Sequence, residues 1–128
     1  MKTKKILLVD DDEIFLFLAE RELKDLLSEA EFIHASNGSE AFELLKNIEP
    51  FAMFLDLNMP VMGGFDLLNK LQEEDVPVNY PIFITTSSID PREIAHVSNY
   101  SEVVGLIEKP LNISKVWTLL ENKNMSFK

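Results

Sequence analysis

The chain has 128 residues, 46% of them hydrophobic, enough to fill the core of a single domain. Its 22 acidic side chains outnumber 12 basic ones for a formal net charge of -10, which repels a polyanion and argues against direct binding to nucleic acid. The absence of cysteine removes disulfides and thiolate metal sites, no apolar stretch approaches the roughly 18 residues needed to cross a bilayer, and the run after "MKTKK" is too short for a signal peptide. These features lead us to expect a soluble, cytoplasmic protein with no membrane insertion.

In chain order, "KILLV" (5–9) opens with a short continuous apolar run of the kind that forms a strand covered on both faces. A helical pattern over 12–28 follows, turning Phe15, Leu16, Ala19, Leu23, Leu26 and Leu27 inward. "AEFIHAS" (30–36) is a weaker strand, and 38–49 is a second helix closed by "IEP". "FAMFL" (51–55) is a third strand, and Gly63 and Gly64 lead into a third helix over 64–75. The acidic, proline-punctuated stretch "QEEDVPVNYP" (72–81) is long for an αβ connection. "IFIT" (82–85) is a fourth strand, and "DPRE" supplies Asp90 as N-cap and Pro91 as first residue of a helix over 90–99. "VVGLI" (103–107) is a fifth strand, and Asn112 caps a last helix over 112–122. Five alternations of this kind predict an α/β doubly wound parallel sheet with five helices, a single domain spanning 1–128 with its core at about 4–122.

In an open parallel sheet the βα loops gather beyond the carboxyl ends of the strands, where ligands bind. The first strand delivers "DDDE" (10–13) to that edge, the third Asp56 and Asn58, the fourth "TTSS" (85–88), and the fifth Lys109. Each has a plain structural explanation: acids after a strand cap the next helix, Thr86 finishes a strand, and a lone lysine is a solvated charge. Capping accounts for one or two carboxylates. A further acid on another strand adds repulsion unless a cation sits between them, and Mg²⁺, or Mn²⁺, prefers such all-oxygen ligands. A carboxylate beside a divalent cation, a hydroxyl and an ammonium is equipped to attack phosphorus.

Four motifs, "ILLVDDD", "FLDLNMPVMGG", "PIFITTSS" and "EKP", occur in this order, with 45 residues from Asp11 to Asp56, 30 on to Thr86 and 23 on to Lys109. In these the chain resembles response-regulator receiver domains, of the single-domain chemotaxis-regulator kind, from Lys4 to about residue 122. The resemblance implies a flavodoxin-like strand order 2-1-3-4-5. It implies Asp56 as phosphoacceptor, Asp11 as a direct Mg²⁺ ligand, Asp10 a ligand chiefly through water, and the Asn58 carbonyl as a further ligand. Lys109 pairs with Asp56 and then with the phosphoryl group, the Thr86 hydroxyl swings inward, and the Lys109–Pro110 peptide is cis. Asn58 and Ser88 occupy the positions that tune water access, and both are small and polar, so a phosphate of moderate persistence is expected.

Three positions depart from the family pattern: Leu106 where an aromatic ring is usual, Ser87 where alanine is common, and Gly63 where Asp or Asn is frequent. His34 and His96 lack metal-ligand spacing, and Trp117 joins Ile113, Val116 and Leu120 in a helical core stripe. Ile14 and Phe17, just past the acid cluster, either extend the core or dock a partner.

The expected function is that of a stand-alone receiver in a two-component system or phosphorelay. Its partners are a histidine kinase or histidine phosphotransfer protein and an unnamed downstream protein. It is a phosphoacceptor signalling protein rather than an enzyme, acting only on its own phosphorylation and dephosphorylation to switch a protein-protein interaction surface, with a phosphorelay intermediate or phosphate sink as the alternative role. Two alternatives remain. A phosphate-independent interaction module is compatible with Leu106, and an aspartyl-nucleophile phosphatase needs Asp and Thr where Asn58 and Pro60 stand.

Overall fold

The computed structural model describes residues 4–87 and 90–122. Ten elements alternate along the chain: β1 (Lys5–Val9), α1 (Glu13–Lys24), β2 (Glu31–Ala35), α2 (Gly38–Leu45), β3 (Ala52–Asp56), α3 (Gly64–Glu73), β4 (Ile82–Thr86), α4 (Pro91–Val97), β5 (Val103–Glu108) and α5 (Ile113–Asn122). All strand pairs are parallel, in the order β2-β1-β3-β4-β5. The expected fold class and strand order are therefore those observed.

The continuous apolar runs are explained by burial on both faces of the sheet. On one face Ile6, Leu8, Phe54, Phe83 and Ile107 pack against Leu16, Ala19 and Leu23 of α1 and Val116 of α5. On the other Leu7, Val9, Met53, Leu55, Ile82 and Ile84 pack against α2, α3 and Val97 of α4. Phe54 and Phe83, neighbours in the β3–β4 ladder, stack with ring centroids 4.7 Å apart, so side chains of a laddered pair meet on the α1/α5 face.

Helix boundaries are tighter than the hydrophobic period suggests, because the apolar stripe continues into the loops: Leu27 is buried three residues past the end of α1. Asp90 caps α4 by accepting the Arg92 N–H at 2.9 Å, and Asn112 accepts the Lys115 N–H at 3.2 Å. Trp117 corrects the expected core stripe: it is 37% exposed and bonds Glu121, while its neighbour Val116 takes the fully buried position. The Leu120 side chain lies outside what the structure describes.

The β3–α3 loop rests on the start of α2. The Gly38 N–H donates to the Met62 carbonyl at 2.9 Å, and a Cβ at residue 38 would lie 2.7 Å from Met62 Cγ and Met62 O. In the same loop Val61 has φ 73 and is 86% exposed, a left-handed backbone unusual for a β-branched residue.

Candidate functional site

The strand order places β1 between β2 and β3, so the chain leaves β1 toward one side and returns on the other. A crevice opens where the carboxyl ends of β1 and β3 meet. Asp10 follows β1 and Asp56 ends β3; both are buried, whereas Asp11 is exposed at the mouth. Oxygens of these three carboxylates lie within 4.8 Å of one another.

Helix capping does not explain the pair Asp10 and Asp11. The N-cap of α1 is Asp12, whose Oδ1 accepts the N–H groups of Ile14 at 2.9 Å and Phe15 at 3.2 Å. Asp10 Oδ1 instead accepts the Asp12 N–H at 2.9 Å, which fixes its carboxylate toward the crevice.

Lys109 directly follows the end of β5 and is joined to Pro110 by a cis peptide. Its backbone N–H donates to the Thr86 carbonyl at 2.8 Å. Its Nζ lies 2.7 Å from Asp10 Oδ2 and 3.6 Å from Asp56 Oδ2, and 4.5 Å from the centre of the Phe15 ring. The ammonium is thus closer to Asp10 than to the Asp56 with which the family resemblance pairs it, because a single cation is shared between two buried acids.

Asp56 Oδ1 accepts the Asn58 N–H at 3.3 Å. Burial, followed by the charge of Asp10, pushes the Asp56 carboxyl up to about 6, while Lys109 and the Asn58 N–H oppose the rise. Three carboxylates and one ammonium leave two net negative charges when all are ionised. The all-oxygen donor set and its unbalanced charge fit a hard divalent cation.

Thr86, the hydroxyl expected to swing, is buried at the last position of β4. Strand alternation sets it with Ile84 on the α3/α4 side. The residue laddered against Asp56 is Thr85, on the α1/α5 face one pair beyond the Phe54–Phe83 stack. The motif singles out Thr86 and passes over this neighbour. Leu106, half-buried against the α2/α3 core, pairs with Ile84 and fills its place aliphatically. Ser87 is exposed just past β4, and Ser88 lies outside the described residues. Gly63 is more than a loop variation: a Cβ there would meet the Leu57 carbonyl at 2.7 Å.

Neither histidine is near the crevice. His34 Nε2 lies 2.8 Å from Glu20 Oε1, and His96 stacks on Phe65 with ring centroids 3.8 Å apart. Ile14 and Phe17 are not an extension of the core; they are 73% and 63% exposed, beside a 48% exposed Leu18.

With this geometry in place, similarity to known proteins resolves the class. The response regulator receiver domain family matches residues 6–121, and the chain belongs to that family. It is 35% identical over 92 residues to the transcriptional regulatory protein PrrA of Mycobacterium leprae, covering 72% of this chain and 39% of that protein. To the nitrate/nitrite response regulator protein NarL of Escherichia coli it is 37% identical over 82 residues, 61% of this chain and 36% of that one. The chain thus spans well under half the length of these relatives. Among solved structures it superposes on a two component response regulator from Cytophaga hutchinsonii with TM-score 0.84 and 25% identity, covering 95% and 97% of the two chains. The Vibrio cholerae chemotaxis protein CheY4 shares the fold with TM-score 0.78 and 24% identity, covering 94% and 98%.

Receiver domains are signalling proteins that interact with histidine kinases and downstream targets, and they bind Mg²⁺ at a cluster of aspartates, here Asp10, Asp11 and Asp56. No helix among the described residues is long and apolar enough to cross a membrane.

Proposed function

We propose that this chain is a cytoplasmic phosphoacceptor switch in which Asp56 takes a phosphoryl group from a phosphohistidine of a histidine kinase or histidine phosphotransfer protein. The observation that carries this reading is the meeting of the Asp10, Asp11 and Asp56 carboxylates within 4.8 Å, with Lys109 Nζ between two of them. An Asp56 oxygen attacks phosphorus, the P–N bond of the phosphohistidine breaks, and the imidazole leaves with the electron pair. Asp11, Asp56 and the Asn58 carbonyl would hold Mg²⁺ directly, and Asp10 through water. When bound, Mg²⁺ supplies charge neutralisation at the phosphoryl oxygens.

The chain's own groups do the rest. Lys109 moves from Asp10 toward the arriving phosphoryl oxygens, a short displacement given its 3.6 Å distance to Asp56. The Thr86 hydroxyl turns to bond a phosphoryl oxygen, assisted by Ser87, while Asn58 and Ser88 set how readily water reaches phosphorus in line. Ile14 and Phe17 offer the donor protein an apolar foothold next to the crevice. The phosphorylated form then favours one of two arrangements of the surface that a downstream protein reads. In this scheme the chain is a relay component whose chemistry is its own phosphorylation and dephosphorylation.

A phosphate-independent interaction module is the second reading, favoured by Leu106 in place of a ring. Incubation with Mg²⁺ and acetyl phosphate separates the two by intact mass. Gain of one phosphoryl group that is absent in Asp56→Asn supports the switch. No gain supports the interaction module, and continuous turnover of phosphomonoesters would support a phosphatase instead.

A further inference from the structure

Thr85 holds a buried hydroxyl that the scheme above does not use. The residue is 1% exposed, and its Oγ1 has no hydrogen-bond partner among the described residues. A buried hydroxyl without a partner is costly compared with the isosteric valine, so its presence directly after the apolar Ile82, Phe83 and Ile84 of β4 calls for a role. Its strand neighbours on the same face, Phe83 and Ile107, both belong to the core that packs α1 and α5.

The position of Thr85 supplies that role. Asp56 and Thr85 are Cα partners in the parallel β3–β4 ladder, and the preceding pair on the same face, Phe54 and Phe83, has its rings in contact. Adjacent parallel strands lie about 4.8 Å apart, so the two side chains stand next to each other at the crevice. Asp10 extends β1 by one residue beyond Val9, which is laddered to Leu55; Asp56 therefore has Asp10 on one flank and Thr85 on the other. On the Asp10 flank the carboxylate meets negative charge. On the Thr85 flank lies a residue whose hydroxyl has a proton to donate and makes no hydrogen bond to Asp56 in this structure; rotation of the side chain between staggered wells would aim it.

We infer that Thr85 is a positioning residue for the phosphoacceptor: its hydroxyl donates to the Asp56 carboxyl oxygen that does not bond phosphorus. It thereby orients the carboxylate before transfer and the acyl phosphate after it. This rests on the reading of Asp56 as phosphoacceptor and adds to it. Thr86 faces the opposite side of β4, so the consecutive threonines divide between the two faces, one toward the acceptor side chain and one toward the α3/α4 side. Asn58 already fixes Oδ1 through its N–H at 3.3 Å, and a second donor from the β4 flank would remove the remaining freedom of the carboxylate about its terminal torsion.

The test compares wild type with Thr85→Val, which keeps the shape and loses the hydroxyl, and with Thr85→Ser, which keeps the hydroxyl. Each is labelled by acetyl phosphate with saturating Mg²⁺, and intact mass is followed over time at several acetyl phosphate concentrations. The bond from Asp56 to phosphorus forms as the acetyl phosphate P–O bond breaks and acetate departs. The expected result is a maximal labelling rate about tenfold lower in Thr85→Val at an unchanged half-saturating concentration, with Thr85→Ser within twofold of wild type.

A purely structural hydroxyl gives a different pattern. Thr85→Val then melts higher than wild type, because an uncompensated polar group is gone, and labels at the same rate. That result overturns the inference while leaving Asp56 as phosphoacceptor. Equal slowing in Thr85→Val and Thr85→Ser also overturns it, since shape rather than the hydroxyl would then be responsible. A wild-type chain that gains no phosphoryl group overturns the phosphoacceptor reading itself, and this inference with it.

Discussion

Replacing Asp56 by asparagine removes the proposed chemistry and is expected to make the protein more stable. An ordinary aspartate ionises near 3.8 and Asp56 near 6, chiefly because it is buried and next because Asp10 is beside it. At about 1.4 kcal/mol per tenfold, the folded state disfavours the Asp56 charge by about 3 kcal/mol. Asparagine presents the same shape without the charge, and its amide oxygen can still accept the Asn58 N–H. Lys109 keeps Asp10 as a partner at 2.7 Å.

Between pH 4 and 6 the folded wild type holds a proton that the unfolded chain has lost, so its stability falls as pH rises through that window and is flat above it. The advantage of Asp56→Asn is therefore about 3 kcal/mol at pH 8, about 1.6 kcal/mol at pH 5, and close to nothing by about pH 3.5. For a chain of this length the pH 8 value corresponds to a melting temperature about 10 °C higher. Urea unfolding in EDTA at these three pH values measures it. Excess Mg²⁺ should narrow the gap, because a cation held by the folded wild type stabilises it by mass action. An advantage that is absent at pH 8, or the same at all three pH values, refutes the account of a crowded negative pocket.

Three further outcomes follow from the same geometry. Lys109→Met leaves the buried Asp10 without its ammonium and should destabilise the metal-free protein by about 3 kcal/mol in urea, with partial recovery in Mg²⁺. Gly38→Ala drives a Cβ into Met62 and should lower stability by about 1–3 kcal/mol, with NMR shifts concentrated in the β3–α3 loop and the start of α2. Val61→Gly relieves a left-handed valine at an exposed site and should raise stability by up to about 1 kcal/mol, the gain reduced by glycine's greater freedom in the unfolded chain.

The fold was legible because its signal is carried by whole runs of residues. Uninterrupted apolar strands such as "KILLV" can only be buried on both faces, and alternation with helices then leaves few arrangements. Helix ends were less legible, since Leu27 continues the apolar stripe of α1 after its hydrogen bonding has ended. Asp90 and Asn112 announced themselves because capping is local chemistry. Within "DDD" the three carboxylates are identical as text, and only the backbone decides that Asp12 caps the helix while Asp10 and Asp11 face the crevice. Which of two acids Lys109 approaches, and on which flank of Asp56 Thr85 stands, are relations between strands that no single stretch contains. Trp117 has the helical spacing of a core position, but the adjacent Val116 takes the buried place, and a one-residue step turns a helix by about 100°, enough to carry Trp117 toward its edge.

The contact between Gly38 and Met62 makes a lever of the loop that carries Met62. A loop tied by its carbonyl to the first amide of α2, with no side chain at residue 38 to cushion the approach, cannot be displaced without the end of that helix following or the bond breaking. A disturbance beginning beside Asp56 therefore has a mechanical route to the far edge of the sheet, where β2 lies, as well as across β4 toward the opposite edge.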